Sequence, residues 1–252
     1  TVPALALTGP AGNWKADGVA VAATPAGNGW QLDGVARFVL DATEAGLLLV
    51  VARTGAGFGL FEVAPDAPGL SVARLPAFDR TLSLAELHFG AVPAVNLSGG
   101  VDVWPLVERA LDVGRVALAG EQAGGAQRVF AFTLDYARAR HQFGRAIGSF
   151  QAIKHMAADL LLETESAISA ARHAAEALED GRDDAGAAVS LAAFACADAY
   201  VRTTADAVQM HGGIAFTWVH PAHLYLRRAR ADAQLLGSAA AMRERLVCQL
   251  GG

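Results

Sequence analysis

Lysine is almost missing: of 20 basic residues only Lys15 and Lys154 are lysine, and 25 acidic residues bring the formal net charge to -5. That balance argues against a nucleic-acid-binding or anionic-membrane surface. Cysteine is equally scarce. Cys196 and Cys248 are too few and too far apart for a metal cluster or a disulfide scaffold. Cys196 sits in the apolar run Leu191 to Cys196 and reads as a buried free thiol, pointing to a reducing, cytoplasmic setting. Long hydrophobic runs are absent too: no window holds the roughly 20 uninterrupted apolar residues that a spanning helix needs, so no membrane partner is expected. The opening Thr1 to Pro10 has no basic stretch and looks like neither a signal peptide nor a translation start. What is abundant is small and apolar: 53% hydrophobic residues and 27 glycines in 252 residues. This excludes disorder and, without a Gly-X-Y period, collagen. The length suffices for one large or two ordinary domains with a real core.

The hydrophobic period changes once along the chain. Residues 1–98 are short apolar runs broken by Gly, Pro and Asp. Trp30 to Leu40 reads as two strand-like pieces around a turn signal at Asp33-Gly34. Gly46 to Ala52, Phe58 to Val63, Leu70 to Leu75 and Leu82 to Phe89 read as further strands. Strands without intervening helices predict an antiparallel sandwich or barrel. From residue 99 to 252 Ala, Leu, Arg and Glu dominate and the period is helical. The expected helices are Leu106 to Arg140, with Gly114, Gly120, Gly124 and Gly125 as weak points; Ser149 to Asp180, with Ser149 as cap; Ala185 to His211, stopped by Gly212-Gly213; and Pro221 to Leu250, interruptible at Leu235-Leu-Gly-Ser. The expectation is a multi-domain α+β chain, a β-domain over 1–98 followed by a four-helix bundle over 99–252.

Two segments depart from plain amphipathic helix. Tyr136-x-x-x-Arg140-x-Gln142-Phe143-Gly144-x-x-Ile147-x-x-Phe150-Gln151 sets an arginine near one helix end and a glutamine at the next helix start. Forked donors and free backbone N–H groups there suit an anionic ligand. In Gln209-Met-His-Gly212-Gly213-Ile-Ala-Phe216, paired glycines after a helix let a ligand or another chain approach the backbone. Taken singly, each also fits a plain structural role, an αα-hairpin with a solvated Arg140 and an ordinary helix C-cap. His155 and His211 lack a Cys or carboxylate at ligand spacing, so no metal site is expected.

Together with His220-Pro221 and Arg227-x-Ala229-Arg230, these segments resemble the C-terminal helical domain of the flavin-dependent acyl-CoA dehydrogenases. Leu7-Thr8-Gly9-Pro10-Ala-Gly12 and the stretch Leu32-Asp33-Gly34 to Phe38 resemble that family's middle β-domain. The family's N-terminal helical domain, expected to precede Thr1, has no counterpart in the sequence. The resemblance implies oxidation of an acyl-CoA to its 2,3-enoyl-CoA, with a carboxylate taking the α-proton, FAD taking the β-hydride, and an electron-transferring flavoprotein reoxidising the flavin. It also implies a dimer or tetramer in which FAD is shared across a subunit interface. On that analogy Arg140, Gln142 and Phe143 hold the nucleotide end of FAD, with Gln151 near, Gln209, Gly212 and Gly213 lining the same half-site, and Thr8 on the β-domain side. Arg115 is a candidate substrate contact.

The departures fall on the reactive side. The family's two alternative positions for the glutamate base correspond to Leu236 and Gly114, neither of which accepts a proton. Glu121 lies seven residues beyond Gly114, two helical turns along the same face. Gly9 stands where the family has Glu before Pro, and Phe38-Val39-Leu40 where it has Trp-Ile-Thr. The pattern resembles actinobacterial members that form heteromers, acting on bulky CoA thioesters of sterol and lipid catabolism. Three readings stay open: a subunit lending part of a shared FAD site to a partner that carries the glutamate; a self-sufficient homo-oligomer using Glu121; and a non-catalytic scaffold or pseudoenzyme. A fourth, a binding protein for an apolar ligand, leaves the Arg-x-Gln-Phe-Gly and Gln-x-x-Gly-Gly pair without a purpose.

Overall fold

The computed structural model describes residues 2–251. The chain divides into two compact units, Thr1–Ala110 and Leu111–Gly252. The first holds seven strands: β1 (Pro3–Ala6), β2 (Ala22–Ala26), β3 (Gly29–Leu40), β4 (Leu47–Thr54), β5 (Gly57–Val63), β6 (Leu70–Leu75) and β7 (Leu84–Asn96). The ladder runs β4-β2-β3-β7-β5 and returns to β4, so the sheet closes on itself in a barrel-like ring. Closure satisfies the edges that an open sheet would expose. β1 lies beside β4 and β6 beside β7. Inside the ring Leu32, Leu48, Val50, Phe61, Leu87 and Val92 are fully buried, and the Trp30 ring packs on Phe61 at 5.4 Å.

Two details depart from the sequence expectation. The sheet is mixed: β1 pairs with β4 in parallel over Pro3 to Ala6, and β2 meets β4 in parallel at Ala22 opposite Arg53. The Asp33-Gly34 turn signal is a bulge within one long strand. The β3–β7 register shifts between Leu32 and Gly34, where Gly34 has φ +130° and a Cβ would lie 2.6 Å from the Ala20 carbonyl oxygen. Glycine here bends a continuous strand instead of reversing it. A second shift, between Ala36 and Val39, brackets Phe38 at φ +60°.

The helical unit is built from α1 (Trp104–Ala139, whose first turns belong to the β-strand unit), α2 (Gln151–Glu179), α3 (Ala185–His211), α4 (Ala222–Asp232) and α5 (Ala239–Gln249). Its seam is made of alanine: Ala119 and Ala123 of α1, Ala167 to Ala177 of α2 and Ala188 to Ala199 of α3 are buried together around Cys196. Small side chains let helix backbones approach closely, and the helices interlock without large knobs. The glycines of α1 do not break it. A Cβ on Gly125 would lie 2.6 Å from the Tyr200 ring, and one on Gly114 2.9 Å from Leu236, so these two positions exist to let neighbours in. Gly120 and Gly124 face open space. The last expected helix is two: Leu236 (φ +56°) and Gly237 (φ +121°) interrupt it, and the Ser238 side chain restarts it by accepting the Ala241 N–H at 3.3 Å. Ser149 is not the cap of α2, which starts at Gln151 with Phe150 as its N-cap; the Ser149 hydroxyl donates to the Ala146 carbonyl at 2.7 Å.

The glycine distinction is measurable in urea unfolding followed by helical circular dichroism. Gly125→Ala drives a methyl into Tyr200 and is expected to destabilise by about 1–3 kcal/mol. Gly120→Ala and Gly124→Ala remove only the propensity cost of glycine and are expected to stabilise by about 0.5–1 kcal/mol each. Equal effects at all three positions would contradict the packing.

Candidate functional site

One end of the bundle gathers both unusual segments. The Tyr136 ring of α1 stacks on His211, the last residue of α3, with centroids 4.4 Å apart, and its hydroxyl donates to the His211 carbonyl at 3.3 Å. His211 in turn meets the His220 ring at 4.3 Å, and Phe132 lies edge-on to both histidines and to Tyr225 at 5.6–5.7 Å. Below them Ala137, Ile147, Ile153, Met156 and Met210 join α1, the connection, α2 and α3 in one apolar cluster. Residues some 70 positions apart in sequence are thereby fixed as neighbours.

The connection from α1 to α2 is a small hairpin, β8 (His141–Gln142) against β9 (Arg145–Ala146). Its two-residue turn is Phe143 (φ +54°) and Gly144 (φ +76°), the backbone signature of a type I′ turn. Phenylalanine in the left-handed region is conformationally costly, and here it is also 92% exposed. Its ring lies 6.1 Å from Phe150, which Arg145 covers from 3.9 Å. Arg140 and Gln142 are exposed, and among the described residues their side chains have no hydrogen-bond partner. Gln151 opens α2 and shares a 2.9 Å contact with His155.

The diglycine bend sits beside this hairpin's root. Gly212 has φ +67°, and a Cβ on Gly212 or Gly213 would meet open space among the described residues. Gly212 is required by its backbone angle; Gly213 is required by nothing that the chain itself packs there. Gln209, on the last turn of α3, is exposed. Beyond the glycines Phe216, Trp218 and Val219 are 77%, 70% and 87% exposed, with the Arg227 guanidinium 5.4 Å over the Trp218 ring and His223 edge-on to it at 4.8 Å.

The two positions that the resemblance assigns to the base, 114 and 236, are neighbours in the fold. Gly114 of α1 and Leu236 of the α4–α5 turn touch, and Leu236 occupies the space that a side chain at 114 would need. Arg115, buried at 4% exposure, donates from Nε to the Leu236 carbonyl at 2.9 Å and pairs with Asp112 at 2.7 Å. Arg245 of α5 holds the other Asp112 oxygen at 2.7 Å. Arg115 is thus a strut under the Leu236 turn. The sequence signals part of this as Asp112-x-x-Arg115, an i,i+3 pair; Arg245 arrives from 133 residues away and leaves no local trace. Glu121 is ion-paired with Arg228 at 2.6 Å, and Arg228 also reaches buried Asp232 at 3.2 Å. In the β-strand unit Thr8 is buried and donates its hydroxyl to the Arg37 carbonyl, bracing the residue before Phe38. Among the described residues no group of three or more His, Cys, Asp or Glu is placed to hold a metal ion, and no helix is long and apolar enough to cross a membrane.

A barrel-like mixed sheet followed by an alanine-rich bundle is the architecture of the middle and C-terminal domains of acyl-CoA dehydrogenases. The family model described as acyl-CoA dehydrogenase, C-terminal domain matches residues 104–250, and the chain belongs to that family. A Mycobacterium tuberculosis acyl-CoA dehydrogenase, IpdE2, is 42% identical over 127 residues, 50% of this chain and 38% of that protein. A solved steroid ACAD, Tcur3481–Tcur3483, matches 92% of this chain and 62% of its own with a TM-score of 0.81 and 35% identity. The ChsE4–ChsE5 complex of Mycobacterium tuberculosis matches 98% of this chain and 65% of its own, with a TM-score of 0.86 and 30% identity. The chain spans less than half the length of the curated relatives named IpdE2.

Two measurements check this geometry. Arg115→Ala is expected to destabilise the fold by roughly 1–3 kcal/mol, because the Leu236 carbonyl loses its donor while Asp112 keeps Arg245. Thiol titration separates the cysteines. Burial pushes the Cys196 thiol up to about 12, whereas Cys248 is exposed. One thiol per chain is expected to react at neutral pH in the native state and two after denaturation; two in the native state would contradict the burial.

Proposed function

We propose that this chain is a subunit of an acyl-CoA dehydrogenase that oxidises an acyl-CoA to its 2,3-enoyl-CoA, lending part of an FAD site while a partner chain supplies the base. The single observation that carries the reading is the Leu236–Gly114 contact: the space where either family position would present a carboxylate is filled by a leucine. Glu121 is a poor substitute, since its carboxylate is taken by Arg228. Likeness to the ChsE4–ChsE5 complex supports a heteromeric partner of the same family. Likeness to a steroid ACAD supports a bulky CoA thioester as substrate. An electron-transferring flavoprotein as acceptor and a cytoplasmic location complete the proposal.

The donor set fits an adenine-nucleotide cofactor. Arg140 offers a forked, charge-assisted contact to a pyrophosphate, Gln142, Gln151 and Gln209 offer neutral amide donors, and Gly212-Gly213 leaves backbone open to close approach. Phe143 and Phe216 offer flat apolar faces beside them. Thr8, in the β-strand unit, has its hydroxyl engaged by the Arg37 carbonyl and so is not a free donor. When bound, FAD supplies the hydride acceptor; this chain's residues bind and orient its tail and shield it from water. The α-proton leaves to a carboxylate of the partner.

The test is purification of the chain alone and co-expressed with candidate partners. Flavin absorbance and turnover only in the complex are expected. Turnover by the chain alone would overturn the subunit reading, and no flavin in either preparation would leave the scaffold. In the complex, Arg140→Ala is expected to weaken FAD retention by about ten- to a hundredfold, the effect of one charge-assisted fork. Unchanged affinity would remove Arg140 from the half-site.

A further inference from the structure

The segment Gly212 to Val219, which carries the diglycine bend and the exposed Phe216 and Trp218, is held at its two ends by two histidines in contact. His211 precedes the segment and His220 follows it, with ring centroids 4.3 Å apart. Both are committed to hydrogen bonds that define their protons. The Nδ1–H of His211 donates to the Ala207 carbonyl at 2.7 Å, leaving a buried Nε2 with no hydrogen-bond partner among the described residues. The Nδ1 of His220 accepts the N–H of Ala222, the first residue of α4, at 3.3 Å. The imidazole, one residue before the N-cap Pro221, thus accepts the first N–H of α4, one of the orphan donors at a helix start. A third ring, His223 on α4, donates from Nδ1 to the His220 carbonyl at 2.9 Å, and its buried Nε2 is also without a partner among the described residues.

We infer that His220 is a positioning residue of the nucleotide half-site: its neutral imidazole, packed on His211 and accepting the first N–H of α4, holds the Gly212–Val219 segment in shape, and protonation releases it. A proton on His220 Nδ1 removes the acceptor for the Ala222 amide. One on His211 Nε2 places a donor where the described residues offer no acceptor. Two charged rings at this separation also repel.

The groups in contact with the pair are the Tyr136 and Phe132 rings from α1, and His223 from α4, which donates to the His220 carbonyl. Burial holds His211 below the ordinary imidazole value, and burial followed by the two neighbouring imidazoles does the same for His220. The sign follows: from about pH 6.5 downward the released segment takes up protons that the closed one does not, so acid favours release. The cradle is closed above that value.

This inference rests on the FAD half-site only for its consequence; the latch itself is readable without cofactor. Hydrogen exchange of the Gly212–Val219 and Ala222 amides in the full chain, corrected for intrinsic rate, is compared at about pH 7.5 and about pH 5.5, either side of the ordinary imidazole value. Protection is expected to fall roughly five- to tenfold on acidification, the population change that loss of one hydrogen bond at a helix start brings. His220→Asn offers an acceptor without titrating and is expected to keep protection at both pH values. His220→Ala is expected to lose it at both. Wild-type protection that does not change with pH, or a pH response that persists in His220→Asn, would overturn the latch. In the flavin-loaded complex, wild type is then expected to release FAD more readily at the lower pH and His220→Asn not to. If exchange responds but FAD release does not, the half-site assignment fails while the latch stands.

Discussion

The contact on which the site depends is a stacked pair of rings, Tyr136 on His211. It joins the end of the first long helix to the end of the third, 75 residues apart, and every group of interest hangs from one side of it. Arg140 follows Tyr136 by one helical turn, and the diglycine bend follows His211 directly. Neither element would place its donors reliably alone. A hairpin of two-residue strands is marginal by itself, and a glycine bend has no side chains to fix it. Packing of the two helix ends supplies the rigidity that the connecting segments lack.

A second constraint governs the packing of the bundle. Close approach is achieved throughout the bundle by small residues on one side of a contact and a larger one on the other: Gly125 under Tyr200, and Gly114 under Leu236. The same packing rule that tightens the bundle sets Leu236 against Gly114, where a side chain at 114 would require the leucine to shift. Arg115 and Arg245, converging on Asp112, hold the Leu236 turn where it is.

Much of this was legible in the sequence. Helical periodicity located α1 to α3 to within a few residues, because long amphipathic elements repeat their signal many times. The flagged Leu235-Leu-Gly-Ser interruption is real, and its cause is the left-handed pair at Leu236 and Gly237. Less legible were features decided by tertiary partners. Asp33-Gly34 has the composition of a turn, yet β7 and the Ala20 backbone hold it as a bulge inside a strand. Ser149 has the composition of a cap, yet its hydroxyl is closer to the Ala146 carbonyl. That His220 accepts the first N–H of α4 from one residue before its N-cap is not a pattern that capping rules anticipate, and it shows only in the tertiary contacts around the ring. The Asp112–Arg245 pair bridges 133 residues and no local pattern encodes it.

The hairpin tip is set before anything meets it. Phe143 adopts its left-handed backbone in the chain by itself, with its aromatic ring already displayed to solvent. The conformational expense is met during folding, before any encounter, so an arriving molecule has no loop to order. A preorganised surface of this kind would bind a partner near the rate set by diffusion and orientation, with residence time left to the neighbouring side chains.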